Sequence, residues 1–264
     1  MFAFGKNWDA FSQLISEDRI ALAEQGLRRL FPNGELNGKP FFDIGCGSGL
    51  SMVAALRLGA SEVNGIDIDP DSVSTAQRTL ELFSGGKPFK VKHRTVFDLD
   101  PQQEGTFPIV HSWGVLHHTG DLWTAIERAS RMTTPKGIFA LAIYRKTPCC
   151  PAWQIEKHIY SSSPKPVQSA ISGLYKTAFF AGQLALGRNP IAYVSNYNTR
   201  GMSWSHDVHD WLGGYPYQSA TPSEIKGFLE KSGWEVEQKD LDRRTFGLFG
   251  SYCNEYVATR KPNA

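Results

Sequence analysis

The chain has 264 residues, of which 41% are hydrophobic and 20% are charged, and its formal net charge is +2. A chain of this length can bury a sizeable core, and one elaborated domain is expected. So small a net charge argues against nucleic acid as a partner. No apolar run reaches the ~18 residues of a membrane helix, so no transmembrane segment is predicted. The start of the chain lacks the apolar stretch of a secretory signal, and the cysteines lack C-x-x-C spacing, so we expect reduced thiols and a cytoplasmic protein.

Residues 8–30 carry apolar side chains at helical spacing, which predicts an amphipathic helix before the first strand. Because residues 1–37 precede the core of the fold, we expect them to form N-terminal lid helices. Trp8 is a tentative substrate contact. The alternative is that these helices only pack against the sheet.

A glycine-rich turn follows the first predicted strand. Residues 41–44 are a short apolar run, glycines occupy positions 45, 47 and 49, and a helical segment begins at Leu50. Glycines let the backbone approach a ligand, and the helix start offers unpaired N–H groups. A dinucleotide site favours G-x-G-x-x-G, whereas here the third glycine comes one position early. Asp43 lies just before the loop, where a carboxylate would repel a pyrophosphate but suits a ligand with a free ammonium group.

The second predicted strand, residues 60–68, ends in acids. Asp67 lies 24 residues after Asp43, close to the ~20-residue interval expected for an acid that accepts the ribose hydroxyls of a bound nucleoside. Asp69, followed by Pro70, is interpreted as a helix N-cap. The alternative for Asp67 is that it merely ends a strand.

The D-x-G-x-G-x-G pattern at residues 43–49 resembles motif I of the class I S-adenosylmethionine-dependent methyltransferases, in particular bacterial small-molecule enzymes of the ubiquinone-methylase type. The resemblance implies the cofactor S-adenosyl-L-methionine and the product S-adenosyl-L-homocysteine. It also implies that the stretch after the third strand, residues 96–98, holds the adenine; the alternative is an ordinary strand-to-loop turn. The cofactor contacts so predicted are Asp43, Gly45, Cys46, Gly47, Gly49, Asp67, Ile68, Val96, Phe97, Asp98, Ser112 and Trp113.

Two histidines follow the fourth predicted strand, residues 107–113. Residues 115–118 spell V-L-H-H, which resembles the same stretch in small-molecule methyltransferases. Ligands of open α/β sheets bind beyond the carboxyl ends of the strands. His117 and His118 are therefore predicted to border the reactive methyl group, although a single histidine is more often structural. Tyr144, at the end of the fifth predicted strand, is a tentative substrate contact.

A tight turn at residues 135–137 is predicted to introduce the fifth strand. Residues 146–218 are predicted to form an insert after that strand. The insert has helical segments at 153–160 and 167–186, separated by prolines. The second segment is interpreted as a substrate lid or a homodimer face in preference to a membrane-surface helix.

Residues 197–217 are predicted to be loop-rich and functional, because they combine aromatics, histidines, acids and an arginine. A general base set of His206, Asp207 and Asp210 is the first interpretation. Helix capping together with pairing to Arg200 comes second. A metal site that includes His209 comes third, because adjacent side chains point apart, and no metal is predicted. Tentative substrate contacts are Arg200, Trp211 and Tyr215.

The fold prediction is a doubly wound α/β domain of Rossmann-like type. It has a seven-stranded, mostly parallel sheet with an antiparallel last strand, an N-terminal helix and the insert. Residues 1–264 form one methyltransferase domain, with 38–145 as its cofactor-binding half and 219–264 as a C-terminal helix and hairpin. In this family the last two strands form that hairpin.

The expected reaction is O-methylation of a small polar metabolite or sugar by in-line SN2 transfer. One alternative is N-methylation of a small amine or a macromolecule. This is less favoured because the chain has nothing resembling the Asn/Asp-Pro-Pro-aromatic motif. The other alternative is a non-catalytic cofactor-binding subunit.

Overall fold

A single sheet organises the chain. In this computed structural model, residues 15–197, 204–239 and 246–261 are described. Their strands form one seven-stranded sheet in the order β3-β2-β1-β4-β5-β7-β6. The strands are β1 Pro40–Ile44, β2 Glu62–Asp67, β3 Phe89–His93, β4 Phe107–Trp113, β5 Thr133–Tyr144, β6 Trp234–Gln238 and β7 Cys253–Arg260. Strands β1 to β5 pair in parallel, and β7 runs antiparallel to both β5 and β6. The predicted fold class is confirmed.

Helices cover both faces of this sheet because the central strands are apolar on both sides. Phe41 and Phe42 of β1 point to opposite faces and belong to two different core clusters. The first cluster includes side chains of α1 Glu17–Leu30, α2 Leu50–Arg57 and α3 Pro70–Phe83. The second includes side chains of α5 Leu122–Arg131 and α10 Pro222–Lys231, and the short helix α4 Pro101–Glu104 precedes β4.

The insert forms its own helical layer. Its described helices are α6 Cys150–Ser162, α7 Lys165–Ala185, α8 Pro190–Ser195 and α9 Trp204–Gly213. Tyr160, Val208 and Leu212 form a small core between them. Helix α9 corrects the prediction of a loop over this stretch. Val208 and Leu212 stand four residues apart and so lie on one buried helical face, a signal that the surrounding polar residues obscured.

Strand β5 also differs from its predicted start. The predicted turn at residues 135–137 lies inside the strand, which begins at Thr133. The ladder between β4 and β5 shifts register between Phe107 and Ile109, and Lys136 adopts a positive φ of 63°. The turn residues therefore make an irregularity in a long strand rather than an entry to it.

At the N-terminal end, the described part of the predicted first helix is α1. Trp8 lies outside the described residues. The division of the chain at residues 37, 145 and 218 stays a prediction. Among the described helices, none has the length and apolar character that crossing a bilayer would require.

Candidate active site

A cavity of about 590 Å³ opens at the carboxyl ends of the parallel strands. One side is built from the glycine loop and the ends of β1, β2 and β4, and the other from α1, the insert and the segment that precedes β7. This is the place where open α/β sheets bind ligands. Its size falls within the range of small-molecule and cofactor sites.

The glycine loop is held tightly against the neighbouring strands. The backbone N–H groups of Gly45 and Cys46 donate to the carbonyl of Ile66, at 2.8 and 3.0 Å. Gly45 has a φ of 76°, and a Cβ there would lie 2.5 Å from Cγ1 of Val115. A side chain is therefore excluded by both conformation and space. Gly49 does not line the cavity; it caps α2 and packs against Ala76 of α3.

The carboxylate of Asp67 faces the cavity from the end of β2. It accepts the N–H of Gly47 at 2.9 Å and the N–H of Asp69 at 2.9 Å. Burial raises the pKa of Asp67 to about 6, against the opposing effect of these two hydrogen bonds. Asp69 accepts the N–H of Asp71 at 2.9 Å, which confirms the predicted helix cap.

Asp43 pairs with a histidine that the sequence interpretation missed. Nδ1 of His111 lies 2.8 Å from Oδ1 of Asp43, and the two residues are only 2% and 3% exposed. They are directly opposite each other in the β1–β4 ladder, and both line the cavity. The pairing could have been found by aligning the ends of the first and fourth strands, since parallel neighbours end at the same edge.

A second buried carboxylate, Glu255 of β7, joins three elements. Its oxygens accept Nε of Arg29 at 3.0 Å and Nε1 of Trp113 at 2.8 Å. All three residues line the cavity, so α1, β4 and β7 meet at this wall. Trp113 was predicted, whereas Arg29 and Glu255 were not. The neighbouring Ser112 does not line the cavity, since its hydroxyl donates to the carbonyl of Ile44 at 3.0 Å.

Of the two histidines after β4, His118 lines the cavity and His117 does not. His118 Nδ1 lies 2.8 Å from the carbonyl of Pro216, and because a carbonyl only accepts, this nitrogen carries the proton. Burial lowers the pKa of His118 to about 4, so the ring is neutral at pH 7. His117 is buried behind it and accepts the N–H of Tyr144 at 3.3 Å. The Tyr144 ring stands 5.3 Å from that of His118 and lines the cavity.

Helix α9 presents Asp207, Asp210 and Trp211 to the cavity, because positions three and four apart share a helical face. Asp207 accepts a hydrogen bond from the hydroxyl of Tyr197. His206 does not line the cavity.

Two other residues from this stretch stand elsewhere. His209 bonds with the hydroxyl of Tyr160 at 2.8 Å. Tyr215 packs against His158, outside the cavity. Arg200 lies outside the described residues.

The structure places some of the residues predicted to contact the adenine at the cavity and one of them elsewhere. Ile68, Val96 and Phe97 line the cavity, whereas Asp98 does not. In the ranges described, no group of three or more His, Cys, Asp or Glu side chains is arranged to hold a metal ion.

Lys157 supports the cavity wall from behind. It is fully buried, its ammonium lies 3.6 Å from the centroid of the Trp211 ring, and it donates to the Trp211 carbonyl. Burial lowers the pKa of Lys157 and raises that of its neighbour Glu156. The indole of Trp211 is thus held from its far side by a cation–π contact. A lysine that stands among polar helix residues carries no sequence signal of burial.

Matches to known protein sequences cover less than half of this chain. Residues 42–139 match the family described as Methyltransferase domain. A ubiquinone biosynthesis O-methyltransferase of Xanthomonas euvesicatoria pv. vesicatoria (strain 85-10) is 32% identical over 114 residues, which cover 43% of this chain and 46% of the relative. The chain thus matches about half the length of such curated relatives.

Solved structures extend the likeness of fold over nearly the whole chain. An O-methyltransferase family protein from Burkholderia thailandensis has a TM-score of 0.57 at 12% identity, covering 97% of this chain and 59% of the other. Magnesium protoporphyrin IX methyltransferase from Synechocystis PCC 6803, solved with bound S-adenosylmethionine, has a TM-score of 0.53 at 15% identity, covering 92% and 79%. Residues 42–139 match a methyltransferase domain, and this match, the curated relative and the strand order support a class I S-adenosylmethionine-dependent methyltransferase.

Proposed function

We propose that this chain transfers a methyl group from S-adenosyl-L-methionine to a hydroxyl oxygen of a small molecule. The observation that carries the proposal is the buried Asp67 carboxylate at the end of β2, which faces the cavity beside the glycine loop. Each of its oxygens already accepts one backbone N–H and can accept a further hydrogen bond from a ribose hydroxyl. The residues present therefore fit the cofactor.

Other residues on the same side of the cavity as Asp67 are expected to contact the rest of the cofactor. Val96 and Phe97 offer apolar surface for the adenine next to Asp67. The buried carboxylate of Asp43 on this side of the cavity suits the ammonium of an amino acid, whereas the charge of Glu255 is already paired with Arg29. The bound cofactor supplies an electrophilic methyl carbon, so the protein needs chiefly to position the acceptor. Positioning of this kind can supply ~7–11 kcal/mol of the barrier.

Three side chains are candidates for taking the hydroxyl proton. His118, Asp207 and Asp210 all line the cavity. His118 is neutral, and a pKa of about 4 makes it a weak base. Asp207 accepts from the hydroxyl of Tyr197, and both aspartates are kept as candidate bases. His117 and His206 do not line the cavity and are assigned no direct role.

A second candidate reaction is N-methylation of a small amine. The carboxylates of Asp207 and Asp210 stand among aromatic rings, an environment that also suits a cationic amine. We rank O-methylation first because a relative that is 32% identical over 43% of this chain is named as an O-methyltransferase. The two are distinguished by the atom that carries the label after turnover with labelled donor.

Calorimetry with S-adenosylhomocysteine tests the cofactor assignment. We expect Asp67→Ala to weaken binding by about tenfold or more, since a lost hydrogen bond to a charged group costs about 1.5–3 kcal/mol. Asp71→Ala, an acid at the exposed start of α3, is the matched control and should bind as the wild type does. Equal affinity of Asp67→Ala and the wild type would contradict the proposal. Homodimerisation through the insert, a cytoplasmic location and the absence of nucleic-acid binding stay predictions.

A further inference from the structure

We infer that the methyl acceptor is a flat, hydroxylated aromatic molecule rather than a sugar. The inference rests on the proposed function and concerns the half of the cavity that the insert builds. That half is walled mainly by rings, and the wall is defined here as the aromatic wall. It consists of Tyr175, Phe179, Tyr197, Trp204, Trp211 and Phe249.

The rings of the aromatic wall support one another. Phe179 is its centre, with ring centroids 5.6 Å from Trp204 and 5.6 Å from Phe249. Phe179 is the buried residue of α7, a helix that otherwise exposes much of its surface. The wall thus gives α7 its attachment and leaves aromatic surface towards the cavity. Such surfaces favour offset-stacked or edge-on contact with a planar ring.

Two hydroxyls of this wall are committed to the protein itself, whereas Nε1 of Trp211 has no hydrogen-bond partner among the described residues. The hydroxyl of Tyr175 donates to the carbonyl of Phe249 at 2.9 Å, and that of Tyr197 donates to Asp207. A sugar carries a hydroxyl on nearly every carbon and needs a partner for each one that it buries, because an unpaired buried polar group costs about 1–3 kcal/mol. Ring faces cannot meet that need. An acceptor with one or two hydroxyls on a flat apolar body requires few partners.

Among the described residues of this half, one group of polar side chains stands near Trp211, and the hydroxyl-bearing rings of Tyr193 and Tyr252 also belong to the lining. Trp211 lies 5.3 Å from Tyr144, which in turn adjoins His118. Asp210 lines the cavity from the residue that precedes Trp211. An aromatic acceptor stacked along the wall would therefore place its hydroxyl at the His118 and Asp210 end and its apolar body towards Phe179.

The first experiment compares test ligands on the wild-type protein saturated with S-adenosylhomocysteine. We expect 2,3-dihydroxynaphthalene to bind at least about tenfold more tightly than myo-inositol, because only the former buries apolar surface against the wall. Equal or tighter binding of myo-inositol would overturn the inference. Tighter binding of phenethylamine than of 2,3-dihydroxynaphthalene would also overturn the inference, because phenethylamine carries an aromatic ring with an ammonium group and no hydroxyl.

The second experiment uses a matched pair of substitutions in one segment. Phe249→Leu removes a ring from the wall, whereas Phe246→Leu removes a ring that is 67% exposed and does not line the cavity. We expect Phe249→Leu to weaken dihydroxynaphthalene binding about threefold to tenfold and Phe246→Leu to leave it unchanged. An equal effect of both, or no effect of Phe249→Leu, would contradict the inference. If Phe249→Leu fails to fold, Trp204→Leu replaces it with the same expectation.

Cofactor affinity separates this inference from the proposed function. Both variants should bind S-adenosylhomocysteine as the wild type does, because neither Phe249 nor Phe246 belongs to the glycine loop or to the ends of β1, β2 and β4 that build the cofactor side. A wild-type protein that does not bind S-adenosylhomocysteine would refute the proposed function. A protein that binds it and prefers myo-inositol refutes only the choice of acceptor.

Discussion

The contact between Gly45 and Val115 allows a quantitative test of how the glycine loop is shaped. In Gly45→Ala the new Cβ meets two penalties. A left-handed φ of 76° costs a side-chain-bearing residue about 1–2 kcal/mol. The new Cβ would also lie 2.5 Å from Cγ1 and 2.9 Å from Cβ of Val115, so the whole side chain must move, at about 1–3 kcal/mol. We expect a total loss of about 2–5 kcal/mol in the free energy of unfolding.

Gly114→Ala is the matched control. Gly114 has nearly the same φ, 74°, but a Cβ there meets nothing within 4 Å, so only the conformational cost of about 1–2 kcal/mol applies. Val115→Ala removes Cγ1 and Cγ2, the two atoms of Val115 closest to the new Cβ, and should relieve part of the overlap in Gly45→Ala. A double-mutant cycle by urea denaturation should therefore give a coupling energy of about 1–3 kcal/mol. A coupling below about 0.5 kcal/mol, or equal losses in Gly45→Ala and Gly114→Ala, would refute the steric account of this loop.

Two further predictions concern the buried carboxylates. Because burial raises the Asp67 pKa from 3.8 to about 6, the folded state retains a proton that the unfolded state has lost, and the free energy of unfolding should fall by about 2 kcal/mol as pH rises from 4 to 6. Over the same range the affinity for S-adenosylhomocysteine should rise as the carboxylate ionises, and calorimetry should find no such rise in Asp67→Ala. Asp43→Ala leaves Nδ1 of His111 buried without its acceptor and should lower the free energy of unfolding by about 1–3 kcal/mol, while Asp43→Asn retains an acceptor oxygen and should lose less. Denaturation midpoints that are the same for both Asp43 variants would contradict this.

Sequence reasoning succeeded where a local pattern determines a local structure. The glycine spacing, the acid after the second strand and the Asp69-Pro70 cap each depend on a few consecutive residues. The mostly parallel seven-stranded sheet with an antiparallel last strand followed from the resemblance that these motifs carry, and the structure has this sheet. The positions that line the cavity near β1, β2 and β4 were therefore largely predictable.

The rest depends on contacts between residues that are distant in sequence. Glu255 receives Arg29 from a helix 226 positions away and Trp113 from another strand, and no pattern in either segment indicates the partner. Helix α9 carries several histidines and acids, which suggested a functional role, yet only one face of the helix meets the cavity. Which of His206, Asp207 and Asp210 faces inward is decided by the packing of Val208 and Leu212 against Tyr160. That packing requires the whole insert.

The two halves of the cavity are built by different physical means, and this difference bears on how the acceptor is chosen. The cofactor side uses strand ends, backbone N–H groups and buried carboxylates, whose geometry is tied to the sheet and tolerates little change. The acceptor side uses side chains of the insert helices, which pack against one another around their own small core. Lys157 fixes the indole of Trp211 from behind, so ring positions on that side depend on the insert rather than on the strands. Substitutions within the aromatic wall should therefore alter acceptor choice without altering cofactor affinity, whereas substitutions at Gly45 or Asp67 should affect every acceptor alike.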